Sequence, residues 1–72
     1  AIAGDNNILA PYASVGNNST IADNNILDSN SVINPDINVG SNNHLLSGEC
    51  LFEDMYNDQL FQSGIITPNN YI

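Results

Sequence analysis

AGDNNILAPYASVGNNSTIADNNIL, residues 3 to 27, carries an aliphatic side chain at every sixth position. The register then runs on unbroken to residue 51, giving Ala3, Leu9, Val15, Ile21, Leu27, Ile33, Val39, Leu45 and Leu51. A small or turn-prone residue usually follows the aliphatic one: Gly4, Ala10, Gly16, Ala22, Asp28, Asn34 and Gly40. A fixed period of six is the signature of a β-helix, in which each short strand contributes one inward side chain. A second period of eighteen lies over the first, because Gly4-Asp5-Asn6-Asn7-Ile8-Leu9 returns as Ala22-Asp23-Asn24-Asn25-Ile26-Leu27 and again as Gly40-Ser41-Asn42-Asn43-His44-Leu45. Three hexads make one lap of a three-sided coil.

Residues 3 to 51 resemble the hexapeptide repeat of left-handed parallel β-helices: an aliphatic residue, then Gly, Ala, Asp or Glu, two free positions, a small residue and one more free position. The fifth position, small in that repeat, is small here at Ala13, Ser19 and Ser31, but Asn7, Asn25, Asn43, Ile37 and Glu49 depart from it. The resemblance implies an all-β, left-handed triangular parallel β-helix of about 18 residues per coil. Residues 1–51 form the coils on this reading. Within residues 52–65, Phe52, Met55, Tyr56, Leu60 and Phe61 recur at helical intervals, with Glu53 and Asp54 at the start and Gly64 as a stop, so a short helical or irregular insertion is expected near 52–64. Residues 66–72 repeat the Ala3 to Leu9 pattern and are expected to return as a β-helix strand opening a fourth coil.

The chain has 72 residues, near the lower limit for a self-sufficient core. It has no Lys or Arg against eight Asp and Glu, a formal charge of -8. Such a surface repels nucleic acid and anionic lipid, and it offers no cation for a phosphate-bearing cofactor. Neither nucleic acid nor membrane insertion is therefore expected, and no apolar run approaches the roughly 18 residues that span a bilayer. Cys50 is the only cysteine, so no disulfide forms within the chain. The amino-terminal residues lack the basic, apolar-core layout of a signal peptide, so the chain reads either as cytosolic or as a mature form after cleavage; a start in register with the repeat favours a processed or trimmed chain, and an extracellular one is the expectation.

Asparagine, with fourteen copies, takes the place of charge. With eighteen residues per lap Asn6, Asn24 and Asn42 stack, as do Asn7, Asn25 and Asn43, with Asn69 and Asn70 continuing both columns. Stacked amides can form ladders as in cross-β structures; Asn also tolerates left-handed corners. Asp5 and Asp23 share a column with Ser41, and Asp36 and Asp54 share one with Asn18, where a structural Ca²⁺ is conceivable beside the plainer reading of a solvated acidic rim.

His44 is the only histidine and stacks outward over Ile8 and Ile26. The resemblance makes available a catalytic histidine, as in the family's acyltransferases, and a zinc site, as in its γ-class carbonic anhydrases. The first lacks a cation for its cofactor, and the second needs three histidines where one exists. No catalytic, cofactor-binding or metal residue is assigned, and the chain is not expected to be an enzyme. Both ends present unpaired rungs, and unlike ends meet head to tail. The leading expectation is a structural self-assembling protein, the subunit of an extracellular β-helical filament whose partner is itself. Its contacts would be Ile2, Ala3, Asn6, Asn7 and Leu9 on one side and Ile66, Asn69, Asn70 and Ile72 on the other. The alternatives are an ice- or surface-binding β-helix and a fragment of a hexapeptide-repeat acyltransferase.

Overall fold

A computed structural model describes residues 1 to 68. Nine two-residue strands follow one another at intervals of six: β1 (Ile2–Ala3), β2 (Ile8–Leu9), β3 (Ser14–Val15), β4 (Thr20–Ile21), β5 (Ile26–Leu27), β6 (Val32–Ile33), β7 (Asn38–Val39), β8 (His44–Leu45) and β9 (Cys50–Leu51). Two four-residue strands, β10 (Gln59–Gln62) and β11 (Ile65–Pro68), complete the chain. Successive strands belong to different sheets, with orders β1-β4-β7, β11-β10-β8-β5-β2 and β3-β6-β9. All pairings among β1 to β10 are parallel, and Ile2 sits opposite Thr20, Leu9 opposite Leu27 and Val15 opposite Ile33, a lap of eighteen. The fold is thus a three-sided parallel β-solenoid of all-β class.

The sixth-position column forms the core from Ile21 to Leu51, every member of it buried. Ile37, from the fifth position, is buried with them. Ala3 and Leu9 belong to the same column yet are exposed, because their coil has none beneath it.

Corners recur because one residue in each adopts a left-handed conformation: Asn6, Tyr12, Asn18, Asn24, Asn30, Asp36, Asn42 and Gly48 all have φ between 58° and 74°. Asn, Asp and Gly accept that region most readily. The turn reverses the direction of one peptide. Strand N–H groups donate to the coil above, as Ile8 N–H does to Asn25 O at 2.8 Å, whereas the corner N–H donates below, as Asn24 does to Asp5 O and Asp36 to Asn17 O, both at 3.0 Å. The corner backbone is thereby satisfied without a helix or a long loop. Tyr12 is the one aromatic in the series, at φ 66° and 84% exposed. Tyr12→Asn is expected to stabilise the chain by about 1 kcal/mol, the usual cost of a left-handed L-residue with no local hydrogen bond. An unchanged or lower melting temperature would contradict this.

Glycine after the inward residue has a packing cause. A Cβ on Gly40 would meet the Asn57 amide oxygen and, at 3.0 Å, the Tyr56 carbonyl carbon; one on Gly4 would meet the Asp23 carboxylate. Ala22 fits at the equivalent place because Ser41, above it, is shorter. Gly40→Ala should therefore destabilise the fold by about 1–3 kcal/mol, while Ala22→Gly should cost only its backbone entropy. Comparative thermal melts of the two variants measure the difference.

The segment after β9 departs from the sequence expectation. No helix forms over 52–64. The solenoid continues, with Met55 bridged to Val39 and Phe61 paired with Leu45, so this lap is sixteen residues and its first corner is two residues short. Phe52, Met55, Tyr56, Leu60 and Phe61 would line one helical face, but here Met55 and Phe61 are buried while Phe52 and Tyr56 are exposed. The reason is the edge on offer. Val39 and Leu45 present unpaired strand and apolar surface, which a parallel rung covers and a helix would leave without backbone partners.

Ser63 and Gly64, both with positive φ, then make a two-residue hairpin turn, and β11 runs antiparallel to β10 with Phe61 opposite Ile66. Gly64 ends no helix; it turns a hairpin. The expected fourth parallel coil is thus replaced, as far as Pro68, by a hairpin strand on the edge of β10. Residues 69–72 of that expectation lie outside the described residues.

Candidate functional site: the first-coil edge and the corner ladders

The structure gathers five of the residues expected to carry assembly. Ile2 and Ala3 on β1, Leu9 on β2, and Asn6 and Asn7 in the corner between those strands all belong to the first coil. Ile2 is 70% exposed and Leu9 47%, and Ile8 and Tyr12 add apolar surface to the same coil. Ile66 lies at the other side of the molecule, on β11, packed half-buried against the core. Asn69, Asn70 and Ile72 lie outside the described residues.

The asparagine columns are real but differ from a stack of amides. Asn7, Asn25 and Asn43 point inward, and each side-chain oxygen accepts a backbone N–H from the coil above: Asn25 N–H to Asn7 at 2.8 Å, Asn43 N–H to Asn25 at 2.9 Å, Gln59 N–H to Asn43 at 2.8 Å. Asn7 and Asn43 also donate their side-chain N–H to the carbonyls of Ala22 and Tyr56. Ser19 makes the same pair of bonds with one hydroxyl, donating to Asn34 O at 2.6 Å and accepting from Ile37 N–H at 3.0 Å. Asparagine at the fifth position thus performs the bonding of a serine with a longer arm. Asn25 keeps only the accepting half. Asn6, Asn24 and Asn42 instead supply the left-handed corner.

A second ladder occupies the outer side of the same corner. Asp5 N–H donates to the Asp23 carboxylate at 2.8 Å, Asp23 N–H to Ser41 Oγ at 3.1 Å, and Ser41 N–H to the Asn57 amide oxygen at 2.7 Å. Hydrogen bonding to the backbone gives these acids a role in the sequence-derived column 5–23–41. The column that was expected to hold Asp36 and Asp54 does not form in that register. The short lap moves Asp54 by two places, and its carboxylate accepts Asn38 N–H at 2.8 Å. Among the described residues no group of three or more His, Cys, Asp or Glu side chains is placed to hold a metal ion.

His44 stacks over Ile26 as expected, and its Nε2 lies 2.7 Å from an Asp28 carboxylate oxygen. Sequence spacing missed that partner, since it lies sixteen residues back on the neighbouring coil. Cys50 is half-buried, its Sγ 3.3 Å from Asn34 Nδ2. Compared with protein-family models, curated proteins and solved structures, the chain matches none.

Proposed function

We propose that this chain is a non-enzymatic structural protein that self-assembles, copies stacking end to end in a head-to-tail filament outside the cell. One observation carries the reading: among the described residues the first coil exposes Ala3 and Leu9, members of the column that is buried from Ile21 to Leu51, and Ile2 beside them, and no strand pairs with the lower edges of β1, β2 and β3. An apolar rung with open strand edges is satisfied by another rung of the same shape. The coils resemble the hexapeptide repeat, a family that includes acyltransferases, and a fragment of such an enzyme is the second alternative. The ice- or surface-binding alternative draws no support from the outward column Ile2, Thr20, Asn38, where the Thr20 hydroxyl donates to Asn38 at 2.9 Å.

The test is sedimentation velocity over a concentration series, wild type beside Leu9→Asp. Leu9 is half exposed, so the aspartate should leave the monomer folded while placing a charge in the stacking face. The wild type should grow with concentration and with salt, which screens a charge of -8 per copy, and Leu9→Asp should stay monomeric. A wild type that remains a monomer at every concentration, or a variant that polymerises equally, contradicts the proposal.

A further inference from the structure

We infer that the outer corner ladder Asp5–Asp23–Ser41–Asn57 sets the direction of stacking and supplies a specific contact between copies: the Asn57 backbone N–H of one copy donates to the Asp5 carboxylate of the next. This rests on the self-assembly reading above and deepens it.

The ladder is polar in the structural sense. Asp23 and Ser41 each give an N–H to the coil above and receive one from the coil below on the side-chain oxygen, so that three successive bonds run in one direction. Its two ends are therefore complementary. The Asp5 carboxylate has no N–H beneath it, and among the described residues the Asn57 N–H has no acceptor above it. Both residues are exposed.

The inner column Asn7–Asn25–Asn43–Gln59 runs the opposite way, each N–H donating to the coil below. It leaves the Asn7 N–H without an acceptor in the first coil. Setting a second copy beneath the first coil continues the outer ladder only if that copy presents its Asn57 end, so the hydrogen-bond polarity selects head to tail.

Charge selects the same way. Asp5 and Asp23 are the acids of this ladder, and its upper half, Ser41 and Asn57, is neutral. Head-to-head contact would set one Asp5 carboxylate against another in a protein without a single Lys or Arg; head-to-tail contact sets it against an N–H. The hairpin strand β11 pairs with the edge of β10 as far as Pro68, and among the described residues no strand pairs with the upper edges of Met55 and β9.

The experiment compares Asp5→Ala and Asp5→Asn with the wild-type chain by sedimentation and thermal melting. Asp5→Ala removes the acceptor but keeps the Asp5 N–H bond to Asp23, so the melting temperature of the monomer should hold while association weakens about tenfold or more. Asp5→Asn keeps an oxygen acceptor and should assemble within a fewfold of wild type. Asp5→Ala assembling like wild type would overturn the ladder contact and leave self-assembly standing; a wild type that never assembles removes both.

Orientation is read separately from Asp5→Cys with Asn57→Cys in a Cys50→Ser background. Stacked rungs lie within disulfide range, so oxidation should give a multimer series on a non-reducing gel. Efficient dimers from Asp5→Cys alone would show head-to-head contact and overturn the inference.

Discussion

Replacing Leu27 with Asp is expected to leave the chain unfolded. Leu27 is fully buried at the centre of the solenoid, between Leu9 below and Leu45 above. An aspartate there has no cation to pair with, since the chain contains none apart from its amino terminus and the one histidine, and His44 points outward to Asp28. The penalty for a buried unpaired carboxylate is on the order of 5 kcal/mol once the lost apolar contacts are added. A solenoid of three coils has little stability in reserve, because each coil is held only by its neighbours. Far-UV circular dichroism should show a disordered spectrum at room temperature. The same substitution at Leu9, one coil lower, should leave the monomer's spectrum native, which ties the difference to burial rather than to residue type.

The second large effect concerns a polar residue. Asn43 is 1% exposed, accepts the Gln59 N–H at 2.8 Å and donates to Tyr56 O at 2.6 Å. Asn43→Ala strands both backbone groups at the base of the short lap, and roughly 2–5 kcal/mol of stability should go with them. The loss should concentrate in β10 and β11, so hydrogen exchange should accelerate there before it does in β4 to β6. Asn43→Asp offers a finer check. Its oxygen can still accept from Gln59, but only the protonated acid can donate to Tyr56. Burial and that bond both favour the protonated form, so the folded state binds the proton more tightly than the unfolded one. Stability must then fall as pH rises through the carboxyl range and recover on acidification. A variant melting at the same temperature at pH 4 and pH 7, relative to wild type, would contradict a raised carboxyl pKa at this site.

Most of the architecture is legible in the sequence because one physical requirement repeats. Each strand has room for one inward aliphatic side chain, and each corner needs a residue that tolerates positive φ, so Ile21, Leu27 and Ile33 announce the faces and Asn18, Asn24 and Asn30 the corners. Residues 52–68 are less legible. Met55 and Phe61 satisfy a six-residue period and, with their neighbours, a helical one, and only the open edges of β7 and β8 decide between them. The two-residue deficit between Leu51 and Met55 has no marker in composition, yet it moves every later partner from eighteen to sixteen residues away. That shift hid Asp54 beneath the wrong column and Asn57 from the ladder it completes. The directions of the two ladders were equally out of reach, since spacing shows which side chains stack and not which peptide groups they meet.

Of the residues expected to carry assembly, Ile2, Ala3, Asn6, Asn7 and Leu9 share the first coil, as a lap of eighteen places them. Sequence reasoning misjudged the opposite half by reading Ile66 as a returning parallel strand, because the motif Ile-Thr-Pro-Asn-Asn resembles the start of a coil while Ser63-Gly64 has already turned the chain back. On the proposed self-assembly, the contact between copies is assigned to the corner at Asn57 and the edges of Met55 and β9, and not to a fourth parallel coil.

The most direct measurement is electron microscopy of the purified 72-residue chain at physiological salt, with Leu9→Asp prepared in parallel. Unbranched filaments one solenoid wide from the wild type and none from the variant are the predicted result. A field of isolated particles from the wild type at every concentration, from protein that circular dichroism shows to be folded, would contradict end-to-end assembly.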